Sequence, residues 1–111
     1  MEVSFVDERL KQACETVSER MRKWGQPAAK NLKTRLDDLR AARCMDDMRN
    51  LPGRWEELTG ERRGYFSCRL DKALRLILRP SRQPPPTKED GGLDWQRIDQ
   101  ITITELVNYH D

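Results

Sequence analysis

With 111 residues the chain has room for one domain around one modest core, and 36% hydrophobic residues, three of them tryptophans, exclude an intrinsically disordered protein. No apolar run approaches the roughly 20 residues of a membrane span, and no basic-then-apolar leader opens the chain. The net charge of +2 conceals a basic middle: residues 54–82 hold eight cations against four carboxylates, seven of the eight being arginine, whereas 83–111 hold two against six.

The first predicted element is a short strand at "EVSFV". From Asp7, a suitable N-cap, the period changes. Leu10, Cys14, Val17, Met21 and Trp24 recur every three or four positions, which predicts one amphipathic helix with that stripe in the core. "WGQP" ends it, Gly25 suiting the position after the helix and Pro27 the first turn of the next. The second helix is expected to bury Ala28 or Ala29, Leu32, Leu36, Leu39 and Met45, and the short connector makes an antiparallel helical hairpin. Arg20, Arg22, Lys23, Lys30, Lys33 and Arg35 read as solvated helix faces.

After "NLPGRW" the pattern turns to short strands: "RWEEL", "RGYFSCRL" and "ALRLILRP", joined by "TGERRG" and by a turn at Asp71 and Lys72. "PSRQPPPTKEDGGLDW" is predicted as a loop, because three consecutive prolines cannot sit inside a sheet. It exceeds most connections in small domains, so it is either functional or mobile. The last strand is expected from Ile98 to Tyr109. This order predicts an α+β fold, an N-terminal helical hairpin packed on one face of a mostly antiparallel, twisted four- to five-stranded sheet, and a single domain over residues 1–111.

Strand alternation assigns the faces. Phe66, Cys68 and Leu70 point to the core and Tyr65, Ser67 and Arg69 away from it; Leu74, Leu76 and Leu78 oppose Arg75, Ile77 and Arg79. In the last strand Ile101, Ile103, Val107 and Tyr109 share one parity and Thr102, Thr104, Asn108 and His110 the other, unless a bulge near the end shifts them. Trp55 and Trp95 read as core residues rather than platforms for bases. The three cysteines, Cys14, Cys44 and Cys68, form no CxxC pair, which points to reduced thiols and a cytoplasmic location. One histidine without clustered ligands predicts no metal centre and no cofactor.

A sheet face carrying Arg69, Arg75 and Arg62 or Arg63 beside a Tyr109–His110 end has the groups that RNA cleavage requires. Those are a base for the ribose 2′-OH, cations for the phosphorane charge and an acid for the leaving 5′-oxygen. On composition alone a generic RNA- or protein-binding module accounts for the same residues, and the tail reads either as an ordinary polar end or as an acid/base pair.

The runs "LPGRWEELTGERRGYFSCRL", "LRLILRP", "KEDGGLDW" and "ITELVNYHD", in that order and spacing, resemble the plasmid-maintenance killer proteins of the RelE/HigB toxin superfamily. The resemblance extends over nearly the whole chain. It implies a microbial-ribonuclease-like α+β fold and a ribosome-dependent mRNA endonuclease, the toxin of a bacterial type II toxin–antitoxin pair. Its implied partners are mRNA in the ribosomal A site and a HigA-like helix-turn-helix antitoxin, with no membrane involved. Matched position by position, Arg75 and Arg69 are implied to stabilise phosphate charge, His110 to serve as general acid/base and Tyr109 to position the nucleotide. Arg62 and Arg63 fall on the family's basic pair. Asn108 stands where many members carry aspartate, and Glu56 near a position where some carry a second histidine, so Glu56 is the implied substitute base. The alternative implied by these two departures is a catalytically impaired binding module of the same fold, acting through antitoxin or ribosome contacts.

Overall fold

Asp7 caps the first helix as its sequence predicts, its Oδ1 accepting from the Leu10 amide at 2.8 Å, but the helix does not continue to Trp24. In the computed structural model, which describes residues 1–109, the predicted helix is two: α1, Glu8–Glu15, and α2, Val17–Trp24. Between them Thr16 is extended, with φ −96° and ψ 123°. The break rotates the second half about its axis, so Val17 and Met21, expected in the core, are 66% and 41% exposed. Arg20 takes the inward position instead. It is buried, and its guanidinium donates to the Cys14 carbonyl at 2.9 Å, near the end of α1 where carbonyls lack helical partners.

Gly25, at φ +80°, separates α2 from α3, Gln26–Ala41, and Pro27 lies in the first turn of α3. Ala28, Ala29, Leu32, Leu36 and Leu39 are buried as their spacing predicts. Met45 is buried as well, but it lies past the helix in a 3-10 turn, Met45–Asn50, held by its amide bonding to the Ile98 carbonyl at 2.8 Å.

The strands are β1, Glu2–Phe5; β2, Glu56–Glu57; β3, Phe66–Arg69; β4, Leu74–Pro80; and β5, Gln100–Asn108. They form one sheet in the order β1-β5-β4-β3-β2, antiparallel except for the β1–β5 pair, which is parallel. The α+β class is as expected; the sheet is mixed, and β5 begins two residues later than predicted. Phe66, Cys68, Leu76, Leu78, Ile101 and Ile103 form the sheet side of a core shared with Leu32, Leu36 and Leu39 of α3. The β3–β4 turn is held by Asp71, whose Oδ1 accepts from the amides of Ala73 at 2.9 Å and Leu74 at 2.6 Å.

Glu57 ties the proline-rich connection down. Its carboxylate accepts from the Leu93 amide at 3.0 Å and from the Trp95 indole at 2.9 Å. Trp95 is buried edge-on against Phe66, with the Arg49 guanidinium 3.7 Å from its ring centre. Trp55 is buried too, its indole donating to the Pro52 carbonyl at 3.0 Å. Both tryptophans therefore belong to the framework. No described helix is long and apolar enough to cross a membrane.

One irregularity sets the chemistry of the sheet. Opposite β4, Leu78 pairs with Ile103 but Ile77 pairs with Glu105, so Thr104 is an extra residue in β5. Its hydroxyl donates to the Ile77 carbonyl at 3.1 Å, supplying a bond where the ladder is interrupted. Alternation restarts past the bulge. Ile101 and Ile103 face the helices, whereas Glu105, Val107 and Tyr109 face away. The parity that grouped Val107 and Tyr109 with Ile101 and Ile103 is thereby corrected.

Candidate nucleic-acid interface on the open sheet face

Register fixes what lies beside what on the face away from the helices. One row runs Glu56, Ser67, Ile77, Glu105 across β2, β3, β4 and β5; the adjacent row runs Arg69, Arg75, Val107. Arg69 and Arg75 are direct cross-strand partners, and their β-carbons are therefore about 5 Å apart. Like charges so placed repel each other, an arrangement an anion lying between them would relieve.

Arg75 is anchored at its own end of the sheet. Its guanidinium donates to the carbonyls of Asp71 at 3.0 Å, Leu74 at 3.2 Å and Lys72 at 3.3 Å, and lies 5.4 Å from the centre of the Tyr109 ring. That leaves a cation with fixed orientation beside an aromatic face that is 47% exposed. Tyr109 is held in place by its amide bonding to the Ala73 carbonyl at 2.9 Å. Arg69 is exposed; its backbone is fastened to Gly53, while no side-chain bond restrains its guanidinium among the described residues.

Arg62 reaches the same face from the hairpin between β2 and β3. It sits on the 3-10 turn Gly60–Arg62, and its Nη1 donates to Glu105 Oε1 in a close ion pair. The hydrogen bond to Glu105 holds the guanidinium above its ordinary range, with the charges of Glu105, Tyr109 and Glu61 adding to the effect. Glu61, Arg62, Tyr65, Thr104 and Glu105 line an open cleft of about 390 Å³. Beneath them Ile77 and Ser67, though on the open face, are fully or almost fully covered.

The structure brings together Arg62, Arg69, Arg75 and Tyr109, and adds Glu105, which sequence reasoning did not single out. A charged residue inside "ITITELV" reads as an ordinary solvated position, and only the bulge turns it beside the arginines. Arg63 diverges from its neighbour. It lines a larger cleft, about 470 Å³, between the hairpin and the loop near Thr87 and Gly91, away from Tyr109 and Arg75. The Arg62–Glu105 ion pair, one row from Arg75 and Val107 on the same face, and not size, selects the smaller cleft. Glu56 lies on the edge strand, three strand spacings or about 14 Å from Glu105. Asn108 pairs with Leu74 and so projects to the helix side, opposite Tyr109. His110 lies outside the described residues. Among those described, no group of three or more His, Cys, Asp or Glu side chains is placed to hold a metal ion.

No family model matches the chain, and no curated protein matches its sequence. Solved structures do match. A YoeB/ParE toxin from Agrobacterium tumefaciens superposes with a TM-score of 0.57 over 100% of both chains, at 12% identity. The chain has the fold of these toxins. The YoeB–YefM complex from Staphylococcus aureus gives a TM-score of 0.56 at 14% identity, covering 100% of this chain and 98% of the other. The YoeB dimer of the same organism gives 0.53 at 16%, with the same coverage. At these identities the likeness is one of fold, and it agrees with the RelE-like architecture implied by the sequence motifs.

Proposed function

We propose that this protein is the toxin of a bacterial type II toxin–antitoxin pair, of the HigB kind, and that it cleaves mRNA in the ribosomal A site. The observation that carries this reading is the opposed pair Arg69 and Arg75 with Tyr109 on the next strand. Two cations and an exposed ring on one rigid face suit a phosphate and the base next to it.

In this reading the ribose 2′-oxygen attacks the neighbouring phosphorus, Arg75 and Arg69 neutralise the charge that develops there, and Tyr109 holds the nucleotide. His110 moves the proton; Arg62 beside the site and Arg63 from its separate cleft contact the RNA, and Glu56, on the edge strand, is the substitute base that the motifs imply. The protein acts in the cytoplasm and inhibits translation until a helix-turn-helix antitoxin of the HigA kind binds it. The S. aureus YoeB structure in complex with YefM supports a proteinaceous antitoxin as partner.

The test is cleavage of mRNA on programmed ribosomes by wild type, Arg75→Ala and His110→Ala, with a ribosome-free control. Wild type is expected to cut only ribosome-bound message, and each substitution to slow cutting by about 10²–10³-fold. Ribosome binding without cutting by wild type would refute the endonuclease and leave the binding module.

A further inference from the structure

We propose that Arg54 and Arg35 form a second phosphate subsite, which grips the mRNA backbone at the phosphate next to the one cleaved. This rests on the nuclease reading above and adds to it two arginines to which the motifs assign no role.

Two consecutive residues ahead of β2 have positive φ, Gly53 at +124° and Arg54 at +51°. Among the described residues, Arg54 alone is so placed without being glycine. A β-carbon makes that conformation unfavourable, whereas glycine adopts it freely. The surroundings impose it. The Gly53 carbonyl accepts from the Arg69 amide at 2.7 Å, and on the other side Trp55 is buried, its indole donating to the Pro52 carbonyl at 3.0 Å. Arginine gives the backbone nothing here, so its contribution lies in the charge it carries.

That charge extends the arginine row. Glu56 pairs with Ser67, so the same register carried two residues further sets Arg54 opposite Arg69, which itself pairs with Arg75. Arg54 therefore stands about 7 Å, one and a half strand spacings, from the midpoint of Arg69 and Arg75. Successive phosphates of an extended RNA strand are separated by a similar length. Arg35 comes to the same corner from α3, its Nε donating to the Arg69 carbonyl at 3.3 Å. A β-carbon at Gly53 would lie 2.7 Å from that nitrogen, so the glycine lets the guanidinium rest against the chain.

Charge balance singles this corner out. Among the described residues, no ion pair includes Arg35, Arg54, Arg69 or Arg75. Other cations of α3 are paired, Lys33 with Asp37 and Arg40 with Glu15. Asp71, at the turn beside Arg69 and Arg75, has its Oδ1 engaged by the amides of Ala73 and Leu74. Four guanidinium groups gathered without carboxylates repel one another, and a polyanion laid across them removes that repulsion. One phosphate between Arg69 and Arg75 satisfies half of the group. The next phosphate of the same strand meets Arg54 and Arg35.

The experiment is single-turnover cleavage of mRNA on programmed ribosomes at increasing toxin concentration, by wild type, Arg54→Gly, Arg54→Lys and Arg35→Gln. Tm and affinity for ribosomes without message are measured in parallel. Arg54→Gly should leave Tm unchanged or raise it, yet raise the half-saturating concentration about 10-fold and lower the salt slope of binding by about 1. Its maximal rate should stay within threefold of wild type, because the cleaved phosphate keeps Arg69 and Arg75. Arg54→Lys should recover most of the affinity, and Arg35→Gln should lose it as Arg54→Gly does. Unchanged half-saturation in Arg54→Gly overturns the subsite and leaves the nuclease reading standing. A fall in maximal rate alone overturns it too, since Arg54 would then act on the cleaved phosphate. An equal loss of affinity for ribosomes without message assigns the contact to ribosomal RNA and overturns the mRNA subsite. A wild type that cuts nothing overturns the nuclease reading itself and this subsite with it.

Discussion

Deleting Thr104 should be nearly harmless, whereas deleting Leu106, two residues further on, should not. In the observed register Ile103 already pairs with Leu78 and Glu105 with Ile77, so removing Thr104 joins two correctly paired halves into a regular strand. Every side chain keeps its face. The identifiable loss is the bond from the Thr104 hydroxyl to the Ile77 carbonyl, a net of about 1 kcal/mol. For a domain of this size that is about 4 °C in Tm. Removing Leu106 leaves two solutions, both poor. Either residues 107–109 each turn to the opposite face and Tyr109 leaves Arg75, or the bulge unfolds and Glu105 turns toward the core in place of Leu106. The first forfeits the half-buried Leu106 and the cation–ring contact, together about 2–3 kcal/mol; the second desolvates a carboxylate and costs at least as much. Thermal unfolding followed by circular dichroism gives the magnitudes. Amide exchange at Tyr109, whose N–H bonds to the Ala73 carbonyl at 2.9 Å, reports whether the strand end keeps its register. Equal Tm losses from the two deletions, or loss of Tyr109 protection without Thr104, would show that the bulge is not an isolated insertion.

Glu57→Ala leaves the buried Trp95 indole and the Leu93 amide without their acceptor. It should cost about 2–4 kcal/mol and raise amide exchange through residues 85–95 before the rest of the sheet, whereas an unchanged Tm would mean that the loop holds itself. The thiols should separate sharply in native protein: burial pushes Cys14 from 9.0 up to about 12 and Cys68 higher still, so iodoacetamide at pH 8 should modify the half-buried Cys44 alone, and all three in denaturant. Because the folded state retains the Cys14 proton where the unfolded chain loses it, stability is fully present below pH 9 and declines as pH rises toward 12. Replacing Cys14 by Ala should flatten that decline in alkaline denaturation curves.

Local pattern made much of the framework legible. The spacing of Leu32, Leu36 and Leu39, the alternation of Phe66, Cys68 and Leu70, and the turn chemistry of Asp71 each depend on neighbours within a few residues, and each is found as read. What was not legible turns on single backbone events. Thr16 keeps a helical stripe in its sequence context and still breaks the helix, placing Arg20 inside and Val17 outside. Thr104 looks like one more residue of an alternating strand, yet as the inserted one it sends Val107, Tyr109 and Glu105 to the arginine face. Arg62 and Arg63 are adjacent letters, parted by the 3-10 turn that ends at Arg62. The parallel β1–β5 pairing joins residues nearly a hundred positions apart, a contact that no local pattern encodes.

That pairing has a consequence for the order in which the molecule comes into being. β5 lies between β1 and β4, so the first strand made has no partner, and the arginine strand one bare edge, until the segment ending at Tyr109 has been synthesised. Pairing so distant in sequence is slow compared with helix formation, and the helices are ready first. Tyr109 and Glu105, the ion-pair partner of Arg62, arrive with β5. A partly translated chain therefore carries its arginines but no assembled face, and the chemistry proposed for it can begin only after its own translation has reached the last strand.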